Sequence, residues 1–303
     1  MNRADPSRRQ RRFDGHAAAA FVPVVALFPA WLAAIWPLWW VLSRFVDASY
    51  PLFASAVLAV GASLFLRPVQ RLVLSRLLGA RTPTRHERDI LNRAWRTVAQ
   101  ATHVPPDKYV LAVIDSDELN AFASGGHLVI VSSWAVENVG HDELCGVLAH
   151  ELSHHLGMHT VALTIGQWLT VPIVLLARVG LFLQNVADAA AESFAARSRA
   201  ADLAGRTVAG LLTIASWVFL AAITVSQQIG NILGKGAEFK ADEMVVAMGF
   251  GRELRGALAR VVAEGRGERA EGWRERMLTA HPPARTRVAR IDARLRATTR
   301  RMT

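Results

Sequence analysis

A chain of 303 residues that is 52% hydrophobic, with a mean hydropathy of +0.23 and a single cysteine, Cys145, is neither disordered nor a disulfide scaffold. Its formal charge of +10 sits in three stretches: residues 1–16 hold five Arg against two Asp, residues 67–88 six Arg against one Glu, and residues 281–303 seven Arg against one Asp. The first two flank long apolar runs, as positive charge kept on the cytosolic side of membrane spans does, so membrane lipid is the expected partner and nucleic acid is not. The third reads as a solvated helix face or, less favoured, a patch that rests on anionic lipid.

Four apolar segments follow in order. Ala17–Leu42 has no ionisable residue and is too long for the core of a cleaved signal peptide. Trp36, Trp39 and Trp40 suit an interfacial belt, and Pro23, Pro29 and Pro37 predict kinks. Ala48–Leu66 is just long enough to span. The short, charge-balanced linker Ser43–Asp47 makes the pair a hairpin with both ends in the cytosol. The third run is Thr160 to about Leu183, interrupted by Pro172 and by Arg178, which can snorkel. The fourth is Thr207–Ile229, after an Ala-rich connector at 184–206. A buried hairpin in a soluble domain is the alternative for the last two runs, but their length favours spans. The expected order is a basic arm at 1–16, a membrane hairpin at 17–66, a water-facing block at 67–159, a second hairpin at 160–229 and a second block at 230–303. The fold class is a mainly α membrane protein with about four transmembrane helices and a cytosolic α+β domain carrying a small sheet.

In the first block, Glu87–Thr102 reads as an amphipathic helix. Tyr109–Asp115 and Leu128–Ser132 read as strands, with a Gly125-Gly126 turn before the second. A helix begins near His141, with Asp142 and Glu143 suited to its positive end and Leu144, Val147, Leu148 and Leu152 supplying apolar contacts. It carries His150-Glu151-Leu152-Ser153-His154. Residues four apart share a helix face, so His150 and His154 can grip one metal ion while Glu151 takes a proton from water beside it. The bare motif is short and arises by chance. In Glu238–Asp242, however, a third ligand of the right chemistry precedes, by one helical turn, an acid able to accept the other ring N–H of a ligating histidine. Two apolar segments separate His154 from Glu238, and an even number of crossings returns the chain to the same side. His155 and His159 are also four apart, but enclose no glutamate after the first, and read as outer or interfacial residues. His86, His103, His127 and His141 read as surface or loop residues and Cys145 as core. In the second block, helices are expected to break at Gly249 and at Gly265–Gly267.

Together these motifs resemble the HtpX-like integral-membrane zinc metalloproteases, relatives of the CAAX prenyl endopeptidases. The similar elements are Asn120-Ala121-Phe122-Ala123 with Gly125-Gly126, Val147 through Glu151, Glu238 through Asp242, and Thr279-Ala280-His281-Pro282-Pro283 with Arg287 six beyond His281. The order of spans matches too, although the connector 184–206 is long and His155 stands where other residues are common. The resemblance implies a gluzincin endopeptidase with one Zn2+ per chain on His150, His154 and Glu238, and Glu151 as general base. His281 and Arg287 would steady the oxyanion or the active-site glutamate, Asp242 would orient a ligand, and residues 120–123 would form an edge strand pairing with an extended polypeptide substrate. It further implies quality control of misfolded membrane proteins at the inner membrane, on the cytoplasmic side; a homo-oligomer is compatible with this. A signalling metalloprotease would carry a larger outside sensor than 184–206, a catalytically dead zinc-binding scaffold would have no reason to keep Glu151, and prenyl-protein processing would need a chamber larger than four spans build.

Overall fold

A computed structural model describes residues 21–195, 199–264 and 282–300. The chain divides into two compact units, one of residues 21–61 and 165–230, the other built from residues 62–164 and the described residues from 231 on.

The first unit is helical. It comprises α1 (Val22–Leu42), α2 (Tyr50–Ser63) up to Gly61, and parts of two long helices, α7 (His159–Ala195) and α8 (Arg199–Met248). Pro23 falls in the first turn of α1, where its missing N–H costs nothing, so of the three prolines only Pro29 and Pro37 lie inside the helix. Leu27, Trp31 and Ile35 of α1 pack with Ala54 of α2, Leu169 and Ile173 of α7 and Ile223 of α8. The Trp39 indole donates to the Ala48 carbonyl at 2.8 Å and the Tyr50 hydroxyl to the Leu32 carbonyl at 2.6 Å, closing the α1–α2 corner. At Gly61 a Cβ would come within 2.4 Å of the Trp168 indole, so α2 and α7 meet there only because the residue is glycine.

Three helical stretches among the described residues are long and apolar enough to cross a membrane: α1, residues 159–186 of α7 and residues 203–224 of α8. With 14 residues, α2 rises only about 21 Å, short of a hydrocarbon core of about 30 Å. By length and composition a fourth span would need both α2 and α3 (Arg67–Leu77), across the break at Leu64–Leu66. The Ala-rich stretch read as a connector is helical to Ala195 and again from Arg199, as the high helix propensity of alanine favours.

The second unit is built on a four-stranded sheet in the order β1 (Ala80–Arg81), β2 (Val110–Ile114), β4 (Leu128–Ser132), β3 (Ala121–Ser124). β2 and β4 are parallel; the other pairs are antiparallel. On one face lie α4 (Arg85–Thr102) and α6 (His141–Leu156), with Leu91, Trp95 and Val98 packed against Val113, Val129, Leu144 and Leu148. On the other, Leu74 of α3 covers Ala112, Leu128 and Ile130. Thr84 and Glu87 form a reciprocal capping box that starts α4 two residues before the expected Glu87. Ser132 caps the short α5 (Ser133–Asn138). α9 (Gly251–Ala263) presses its backbone onto α6 at Gly146, where a Cβ would lie 2.2 Å from the Leu254 nitrogen. α10 (Ala284–Arg300) joins the same core through Ile291. The expected break at Gly249 is present, with Gly249 in a left-handed conformation at φ 94°; the expected break at Gly265–Gly267 lies outside the described residues.

Candidate active site

α6 is buried along almost its whole length: every residue from Leu144 to His155 is buried. Asp142 and Glu143 occupy its first turn, and it ends at Gly157, before Met158 turns left-handed at φ 61°. A helix buried all round places even its polar side chains inside the protein, and such groups need partners.

His150 and His154 point their Nε2 atoms at one place, 3.2 Å apart. Glu238, on α8, brings its carboxylate to both: Oε2 is 3.4 Å from His150 Nε2 and Oε1 is 3.0 Å from His154 Nε2. The three side chains are buried or nearly so, and their ligand atoms lie close enough to share one ion. Asp242, one turn beyond Glu238, stands with Oδ1 3.2 Å from His150 Nδ1. Arg287 of α10 grips Asp242 with two bonds, Nε to Oδ2 at 3.0 Å and Nη2 to Oδ1 at 2.7 Å, and its Nη1 is 3.7 Å from Glu238. Its Nη2 also lies 3.1 Å from the His150 ring.

The electrostatics follow from this packing. Burial and the Arg287 charge both press the His150 imidazole down, but the carboxylates of Asp242 and Glu238 outweigh them and raise it to about 9. Burial likewise opposes the charge on Asp242, yet His150 and Arg287 hold its carboxyl below the usual range. The cluster therefore favours positive charge at the point where the two imidazoles and Glu238 meet, as a cation site must. Glu151, the residue between the ligand pair in the motif, is buried at 2% exposure.

Of the other expected site residues, Asn120 precedes β3 and is tied to β4: its N–H donates to Ser132 Oγ at 3.1 Å and its carbonyl accepts from the Ser132 N–H at 2.8 Å. That bonding turns the backbone groups of Ala121 and Ala123 to the open side of β3, which is an edge strand packed against α6. Phe122 is half-buried against the Leu74 cluster. His281 lies outside the described residues.

His155 is not at the surface. Its Nε2 donates to the Leu128 carbonyl in β4 at 3.1 Å, its Nδ1 accepts from the Thr160 hydroxyl at 3.2 Å, and its ring lies 4.8 Å from that of Tyr109. Burial pushes its imidazole down to about 3, so it is neutral, and each ring nitrogen has a defined role. Thr164 donates to the Thr160 carbonyl at 2.8 Å and accepts from the Gly125 N–H at 2.9 Å, extending the strut to the β3–β4 turn. No spacing rule marks Thr160 or Thr164; a buried histidine next to a ligand was the one available signal. The His159 ring lies 6.1 Å from that of His154. Cys145 is core, its thiol pushed up to about 11 by burial and by Asp142.

The chain resembles known proteins along most of its length. The model of peptidase family M48 matches residues 85–295. Protease HtpX of Nitrosococcus oceani is 27% identical over 266 residues, covering 80% of this chain and 84% of that protein. A protease HtpX homolog of Desulfotalea psychrophila is 25% identical over 265 residues, covering 82% and 89%. Among solved structures, S. mikatae Ste24p shares the fold with a TM-score of 0.50 at 15% identity, over 88% of this chain and 62% of that one. With a family model matched over more than half its residues, apolar helices long enough to span and a His-His-Glu cluster of ligand geometry, the chain belongs to peptidase family M48 and is an HtpX-like membrane metalloendopeptidase.

Proposed function

We propose that the protein is a zinc-dependent endopeptidase of the inner membrane that cuts misfolded or damaged membrane proteins at internal peptide bonds on the cytoplasmic side. The reading is carried by the three separations of 3.0–3.4 Å between His150, His154 and Glu238. Bonds of about 2.0–2.1 Å in a tetrahedral zinc site require donors about 3.3 Å apart, and two imidazoles with one carboxylate are a common catalytic donor set. These three residues would hold the ion. When bound, zinc supplies a Lewis acid that polarises the scissile carbonyl.

The remaining steps belong to the chain itself. Glu151 takes the proton of the attacking water as the C–O bond forms, and then returns it to the leaving nitrogen as the C–N bond breaks. Asp242 accepts the Nδ1–H of His150, which fixes that tautomer and leaves the Nε2 lone pair for the ion. Arg287 holds Asp242 in place with its two bonds and lends positive charge to the pocket. His281 keeps the role of oxyanion partner by its motif. The outward backbone groups of Ala121 and Ala123 pair with the main chain of an extended substrate, a contact that makes no demand on its side chains. The cytoplasmic orientation rests on the basic stretches beside the first hairpin.

The purified protein in detergent, given casein as an unfolded reporter, tests the chemistry. A strong chelator abolishes cleavage and added zinc restores it. Glu151→Gln keeps its zinc and loses about 10²–10⁴-fold in rate; undiminished turnover would overturn the role of Glu151. His154→Ala loses both metal and cleavage. Protease protection of the 184–206 stretch in sealed vesicles tests orientation.

A further inference from the structure

α3 contains a π-helical turn, Gln70–Leu74, closed by the Ser75 N–H on the Gln70 carbonyl. In such a turn, residues five apart come into line. Gln70 and Ser75 accordingly face inward and are buried, while Arg71 with Arg76 and Leu72 with Leu77 face outward and are exposed. Leu72, Val73 and Leu77 are 47–74% exposed, a patch unfavourable in water. Only Leu64–Leu66 separate α3 from α2, which tethers it close to the membrane. Arg67, Arg71 and Arg76 within eleven residues exclude α3 from the hydrocarbon core. Arginines beside exposed leucines suit the headgroup layer instead, and guanidinium groups match phosphate geometry.

The inner face of α3 reaches the turn that follows β3. The Gln70 side chain, fully buried, accepts from the His127 N–H at 3.1 Å. Gly125 lies over its amide, where a Cβ would come within 2.4 Å, and stands at φ 61°, so only glycine serves there. Through Gln70, one end of the expected substrate strand is anchored to the helix that carries the arginines.

We propose that the outer face of α3 docks on an anionic bilayer surface, and that this docking, passed through Gln70 to the β3–β4 turn, supports cleavage. The second half rests on the proposed endopeptidase reading; the first does not. The full chain carrying Leu77→Cys, Cys145→Ala and the cleavage-silent Glu151→Gln is labelled with an environment-sensitive fluorophore and placed in phosphatidylcholine vesicles with or without phosphatidylglycerol. A shallow lipid-borne quencher should reach the label while aqueous iodide does not, and phosphatidylglycerol should raise the docked-to-undocked ratio about five-fold for each of the outward pair, Arg71 and Arg76. Arg71→Gln with Arg76→Gln should abolish that difference. A label equally open to iodide in both vesicles, or docking indifferent to both lipid charge and the double substitution, overturns the docking.

The activity arm uses the enzyme with Glu151 intact. Casein cleavage should rise in phosphatidylglycerol vesicles for the wild type and not for the double variant, while the two cut equally in detergent. Gln70→Leu should keep the docking and lose the gain. Docking without any gain in cleavage overturns the coupling, and absent cleavage under every condition counts against the endopeptidase reading alone, since the depth measurement does not depend on it.

Discussion

Two arginine clusters in the same unit use nearly the same residues to opposite ends. Arg81 donates to Glu87 at 2.7 and 2.8 Å and to Asp115 at 2.7 to 3.2 Å. Glu87 also accepts from the Thr84 N–H at 2.7 Å. Donors and acceptors alternate there, and the cluster needs no further charge. Around Arg287 the pattern differs. The arginine satisfies Asp242, and Asp242 faces His150; with the Nδ1–H of a neutral His150 given to Asp242, its Nε2 presents a lone pair to His154 Nε2 and the Glu238 carboxylate, 3.2 and 3.4 Å away. Groups of that kind buried 3.0–3.4 Å apart repel unless a proton or a cation lies among them. Crowded acceptors, more than buried charge as such, separate the candidate site from a structural lock.

The sharpest way to break this contrast is to change one carboxylate in each cluster. Glu238→Gln removes a ligand and should lower both metal content and casein cleavage by at least about 10³-fold, because the reaction needs the bound ion. Glu87→Gln should leave zinc content, read by atomic absorption, unchanged. Asp242→Asn comes next. It leaves the three ligands in place and removes only the charge that orients His150, so zinc affinity should fall about 10–100-fold, measured by competition with a chromophoric chelator. If Asp242→Asn bound zinc as tightly as the wild type, the Arg287–Asp242 pair would be a second lock and no part of the metal site.

The Arg81 cluster should answer in stability and pH. The Arg81 guanidinium, against the smaller cost of burial, holds the Glu87 carboxyl down to about 2 from an ordinary 4.5. A depressed carboxyl stabilises the fold fully above its unfolded pKa and loses that contribution as pH falls toward its folded one. Glu87→Gln should therefore cost about 1–3 kcal/mol near neutral pH. The gap in melting temperature between variant and wild type should close as pH drops from about 4.5 to about 2.

How far the sequence reveals all this depends on whether the information is periodic. His150 and His154 are spaced by the helix repeat itself, and Leu128–Ser132 by the β-branched run that forms β4 over those same residues. The capping signal Thr84-x-x-Glu87 stood in the sequence and places the start of α4 at Arg85. β1 has only two residues, too few for any pattern, and exists through pairing with Val113 and Ile114. The π turn of α3 leaves no composition signal, and with it the inward turn of Gln70 is invisible in one dimension. The continuous run of α8 from Arg199 to Met248 also defeats a hydropathy reading, because one helix carries both an apolar run and the ligand Glu238.

The smallest expected effect concerns the strut that ties α6 and the start of α7 to the sheet. Thr160→Val keeps the shape of the side chain and removes the hydroxyl that donates to His155 Nδ1 at 3.2 Å. The lost bond is neutral and buried, so the cost should be about 1–2 kcal/mol, less than for the charged lock at Glu87. His155 would still hold the Leu128 carbonyl through Nε2, and zinc content should stay at the wild-type level. His155→Leu cuts both bonds and should cost more. In a double-mutant cycle, adding Thr160→Val to His155→Leu should cost less than Thr160→Val alone, because the partner of the hydroxyl is already gone. Strict additivity of the two melting shifts would mean that the two residues act independently and that the Thr160 hydroxyl contributes nothing through His155.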